Sequence, residues 1–175
     1  MGYTTDFEGS VSVTPPLNLY EVTYLCKFNE TRRMQRDRGP YFVDGSGDFG
    51  QGQDEDIRNY NQAPPDQPGL WCKWMPAADG TAIEWDGAEK FYDSAEWMAY
   101  LIDTFLKAGA TVQAELAEPV EGRDYPEAFA HFTFDHVVDG TIEAQGEEAD
   151  DRWRLVVTAN EVTTQRAHFV WSDED

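Results

Sequence analysis

Three carboxylates, Glu84, Asp86 and Glu89, fall within six residues around Gly87. Two acids placed so closely can divide general-acid and general-base work, or share a hard cation. Neither a histidine nor a cysteine stands beside them, and a solvated hairpin end is the plainer reading. Asp44, Ser46, Asp48 and Glu55 match the first, third, fifth and twelfth positions of a calcium loop. Phe49 occupies the sixth, where that loop requires glycine for its sharp turn. His131, His136 and His168 offer a base or metal ligands, but the first two have opposite parity on an extended strand. Cys26 and Cys72 form no CxxC motif or nucleophile elbow, so buried, inert thiols are expected. Glycine-rich residues 45–52 lack the Gly-Lys-Ser/Thr ending of a phosphate loop. No catalytic residue, metal or cofactor is assigned.

Charge says more. The chain carries 34 acids against 13 bases, a net charge of -21. Such a field disfavours direct contact with nucleic acid or an anionic membrane. Four lysines against nine arginines fit a salt-adapted or high-GC surface habit first, with an acidic surface that occupies a cationic protein as the alternative. The acids crowd the second half, where 20 face 6 bases, against 14 and 7 in residues 1–88. Five of the bases lie between Lys27 and Arg38. Arg32, Arg33, Arg36 and Arg38 are therefore expected to pair with the acidic C-terminal half and anchor the adjoining loop.

The elements that must position these groups read as one domain over residues 1–175. At 41% hydrophobic residues the chain can fill a core. A strand over 7–13 ends at Pro15-Pro16. Asn18 and Glu21 form a capping box for a helix of about three turns. A long Gly/Pro-rich loop spans 39–69. Two strands follow over 70–75 and 81–85, and Asp93 and Glu96 cap a second helix that stops near Gly109. An irregular acidic insertion covers 115–127. Asp139-Gly140 reads as a hairpin turn, and further strands centre on Trp153, Leu155 and Val157 and on 161–171. The expected class is α+β: a mostly antiparallel sheet with two main helices on one face, around a split βαβ core. No basic-plus-apolar leader or long apolar run is present, so a soluble cytoplasmic protein with reduced thiols is expected.

Several segments together resemble a family of small acidic proteins from bacteria and their phages. They are Gly2-Tyr3-Thr4-Thr5-Asp6-Phe7-Glu8-Gly9, Thr31-Arg32-Arg33-Met34, Gly69-Leu70-Trp71-Cys72-Lys73-Trp74, residues 80–87 and 89–92, Gln145-Gly146-Glu147 and Asp150-Asp151-Arg152. The resemblance implies a setting and no activity. The leading expectation is a non-enzymatic protein-interaction module, a phage or prophage factor acting on a host protein. Its contact candidates are Trp71, Trp74, Glu84, Asp86, Glu89, Glu147, Glu148, Asp150 and Asp151, where an aromatic beside an acidic rim would act as a hot spot. The alternatives are an acidic nucleic-acid mimic, a small carboxylate-dependent enzyme, and a homo-oligomer joined through a sheet edge.

Overall fold

The computed structural model describes residues 2–44 and 54–174. Alternation builds the first strand, β1 (Asp6–Thr14): Phe7, Val11 and Val13 are buried while Asp6, Glu8, Ser10 and Ser12 are exposed. Helix α1 (Leu19–Glu30) starts at the expected capping box, with the Asn18 side chain accepting from the Glu21 amide and the Glu21 carboxylate accepting from the Asn18 amide. Its buried face is Glu21, Tyr24, Leu25 and Phe28. Two short strands, β2 (Gln35–Arg36) and β3 (Ile57–Asn59), pair with each other, so the long loop is tied through β3 to the residues just before it.

Strands β4 (Trp74–Pro76) and β5 (Ala82–Trp85) form the first hairpin. Helix α2 (Ser94–Leu101) continues as a π-helical turn over Ile102–Leu106. Asp93 does not cap it: the residue is left-handed, at φ 56°, and its side chain makes no cap bond. Helix α3 (Thr111–Ala117) takes up the first part of the expected irregular insertion, and a 3-10 turn, Glu127–His131, begins at its end. Strands β6 (Val137–Gln145), β7 (Arg152–Thr158) and β8 (Glu161–Arg166) complete the chain.

Asp139-Gly140 is therefore no turn. Both residues lie within β6, and a Cβ at Gly140 would stand 3.0 Å from the Val11 Cα, so this glycine admits a close strand rather than a reversal. The tight turn is Ala159-Asn160, both at positive φ, between the paired residues Thr158 and Glu161.

The main sheet has the order β4-β5-β1-β6-β7-β8, with every neighbouring pair antiparallel. β1 and β4 run the same way with β5 between them, and α1 connects them, which is the split βαβ arrangement. Both main helices cover one face, α1 against β4 and α2 against β4 and β8. Aromatic rings fill the space beneath. Phe7 meets Trp74, Trp85, Phe91 and Trp153 edge-on at 5.2–5.9 Å. No helix among the described residues is long and apolar enough to cross a membrane.

Candidate functional site

Because side chains alternate along a strand, helices on one face leave the other face of this sheet to solvent. That uncovered face carries Glu84 from β5, Asp6 and Glu8 from β1, and Asp139 and Glu143 from β6, all exposed. No lysine or arginine occurs in any of these three strands. The register puts Glu8 directly opposite Glu143, and Ser10 opposite both Glu84 and Thr141. Neighbouring strands lie about 4.8 Å apart, so these carboxylates form a compact patch. Like charges placed opposite one another across strands cost stability. The patch ends at β7, where Arg154 stands opposite Glu143 and the Arg152 Nη2 lies 3.0 Å from the Glu143 Oε2.

Glu84 belongs to this face, but Asp86 and Glu89 do not join it in a common centre. The Asp86 carboxylate accepts from the Asn29 side chain at 2.9 Å and from the Ala88 amide at 2.8 Å, tying the hairpin end to α1. Glu89 is exposed, and its backbone carbonyl receives the Lys73 ammonium. In the acidic turn between β6 and β7, Glu147 accepts from the Thr4 amide at 2.7 Å. Asp151 accepts from the Tyr3 hydroxyl at 2.6 Å and from Arg166 at 3.0 Å. The Tyr3 bond, then Arg166, holds the Asp151 carboxyl below its ordinary range. Glu147 and Asp151 thus clasp the N-terminal segment, while Glu148 and Asp150 stay exposed.

The tryptophans divide. Trp71 is half-buried, whereas Trp74 is 1% exposed and its indole N–H donates to the Ser94 carbonyl at 2.8 Å. Trp74 is core, and the expectation that it meets a partner is corrected.

The four arginines engage the loop, but the carboxylates that meet them belong to the loop rather than to the C-terminal half. Arg36, its side chain 2% exposed, reaches Asp54 at 3.2 Å and Asp56 at 2.9 Å, and stacks over Phe42. Arg38 lies 3.8 Å from Asp56. Arg32 donates to the Tyr60 carbonyl and sits over the Tyr60 ring. Arg33, fully buried over Phe28, donates to the Pro40 carbonyl and to Gln67.

Sequence reasoning missed one buried pair. The His136 Nε2 lies 2.7 Å from the Glu21 carboxylate, and its Nδ1 lies 2.6 Å from the Pro15 carbonyl. Glu21 carried a signal, the capping box, but that motif is local and says nothing of the second carboxylate oxygen. His131 stacks on Tyr20 at 3.8 Å, and His168 is exposed. Of the calcium template, Asp44 pairs with Lys27 at 2.9 Å, and Ser46 and Asp48 lie outside the described residues, as does the glycine run 45–52. Among the described residues no group of three or more His, Cys, Asp or Glu side chains is arranged to hold a metal.

A cleft of about 750 Å³ lies between the loop and helices α2 and α3. On its wall Glu115 accepts from both Tyr41 and Arg123. Burial pushes the Tyr100 phenol up to about 12 and Tyr41 higher, so both remain protonated. Burial likewise lifts the Cys72 thiol to about 12. In mildly alkaline buffer a thiol reagent is expected to label Cys26 first, reaching Cys72 only after unfolding. Equal labelling rates in the native protein would contradict this.

The chain matches no protein-family model, no curated protein and no solved structure.

Proposed function

We propose that this protein is a non-enzymatic interaction module whose uncovered sheet face docks on the cationic surface of another protein. The supporting observation is the run of five carboxylates on β5, β1 and β6 with no base among those strands. Arg152 offsets part of the repulsion between Glu8 and Glu143, and a lysine- or arginine-rich partner relieves the remainder. The resemblance to small acidic proteins of bacteria and their phages adds a setting, a phage or prophage factor acting on a host protein.

The test is affinity purification at graded salt, with mass spectrometry of the bound fraction. A stoichiometric partner is expected at low salt and is released as salt rises. The triple variant E8Q/E84Q/E143Q should bind that partner about tenfold more weakly or worse, with thermal stability unchanged or raised. A control, E118Q/E121Q, should bind normally. Equal affinity in the triple variant, or no partner at low salt, would overturn the reading. Capture of a DNA- or RNA-binding factor would narrow it to mimicry of a phosphate backbone.

A further inference from the structure

The two edges of the sheet are treated differently. β4 is three residues long and ends in Pro76, features that blunt an edge. β8 has six residues, contains neither proline nor lysine, and pairs with β7 without a break from Trp153–Arg166 to Thr158–Glu161. Its side chains are exposed save for half-buried Val162. A strand of this kind is a template for another strand.

The segment after β8 is the most exposed apolar stretch among the described residues. Phe169, Val170 and Trp171 are 63%, 87% and 99% exposed. Asp173 and Glu174 follow. The other end of the strand borders a cleft of about 550 Å³, lined by Ala99, Lys107, Ala108, Val137, Asn160 and Val162 among others.

From these features we infer that a second copy of this chain pairs with β8, antiparallel and about a two-fold axis normal to the sheet. In that arrangement the chain leaving β8 of one copy runs past Glu161 of the other, toward the turn Ala159-Asn160 and the cleft beside it. Phe169 to Trp171 stand three to five residues beyond Arg166, a reach of about 10–17 Å in extended chain. The apolar tail of each copy is thereby delivered to the cleft of its partner. A two-fold contact of this kind closes on itself, leaving only the short β4 edges at the ends of the joined sheet.

Charge fits the choice of edge. Two copies at -21 each repel, but β7 and β8 carry Arg152, Arg154 and Arg166, three of the 13 bases in the chain. Self-association is therefore less opposed along this border than across the acidic strands β5, β1 and β6. It also follows that dimerisation strengthens as salt screens the net repulsion. Docking on a cationic partner has the opposite salt dependence, so the two readings fail separately.

The experiment is light scattering and sedimentation of the full chain across protein concentration and salt. A monomer–dimer equilibrium that tightens with salt is expected, accompanied by a blue shift of tryptophan emission. F169A/W171A alters only exposed side chains and should weaken the dimer about tenfold or more. T164K, a charge at the middle of the edge, should abolish it without changing the melting temperature. A monomer at every concentration and salt overturns the inference. So does a dimer indifferent to both variants.

Discussion

Replacing His136 with alanine is expected to destabilise the protein by roughly 3–5 kcal/mol, because it leaves the Glu21 carboxylate buried without its partner. The geometry favours protons on both ring nitrogens. A carbonyl oxygen can only accept, so the Nδ1 at 2.6 Å from the Pro15 carbonyl carries a proton. The Nε2 faces a carboxylate whose other oxygen already accepts from the Asn18 amide, so it donates as well. Both ring nitrogens thus face acceptors, an arrangement that favours the imidazolium. Burial alone would lower its pKa, but the bonds to Glu21 and to the Pro15 carbonyl outweigh that and raise it above the ordinary histidine value. The unfolded chain titrates near 6.5. A group with its folded pKa raised contributes stability that is fully present below the unfolded value and fades as pH rises through the folded one. Urea unfolding of the wild type minus that of H136N, measured from mildly acid to alkaline pH, should therefore shrink with rising pH. A difference that is flat or grows with pH would show that the pair is not ionised as described. E21Q tests the other partner: it keeps an acceptor for the cap and should remove the same pH-dependent part.

The second large effect belongs to Gly80. Its φ is +75°, and a Cβ there would be driven into the Leu17 backbone carbonyl, which cannot move aside. The Leu17 amide meanwhile donates to the Gly80 carbonyl at 2.9 Å, so the approach cannot be relaxed without losing that bond. G80A should cost roughly 3 kcal/mol or more, or about 6–12 °C in melting temperature for a chain of this size. Gly87 supplies the control: its φ is +84°, yet nothing lies within 4 Å of an added Cβ. G87A should cost only about 1 kcal/mol, the conformational part alone. Equal losses at the two sites would mean that backbone strain, not collision, sets the effect.

Local rules wrote much of this fold into the sequence. Alternation in 7–13 placed β1 and its buried face, and Asn18 with Glu21 located the start of α1 to the residue. Where two rules competed, the tertiary one prevailed. Asp139-Gly140 satisfies the hairpin rule, but the same glycine satisfies a crowded strand crossing, and only the position of Val11 distinguishes them. Asp93 has the cap residue type without the extended backbone a cap needs. Trp71 and Trp74 could be told apart by parity but not by which of them faced inward. The acidic face was half legible. Glu84 was singled out, while Asp6, Glu8, Asp139 and Glu143 gained meaning only when register brought three distant strands together. Arg36 and Arg38 were readable as loop anchors, but the nearer acids Asp54 and Asp56 prevailed over the more numerous acids downstream, because closing a short loop costs less entropy.

The central place of β1 in the sheet governs how the chain can be born. Thr14 pairs with Val137, 123 positions further along, and the other neighbour, β5, also arrives later. At about 5–20 residues per second, a ribosome needs roughly 6–25 s to make the intervening chain. During that interval Phe7, Val11 and Val13 have been synthesised but lack the β6 side of their sheet. The core cannot close until β6 emerges, so folding is dominated by long-range contacts. A dense negative charge keeps such waiting chains apart from one another, and that service is rendered before any partner is met.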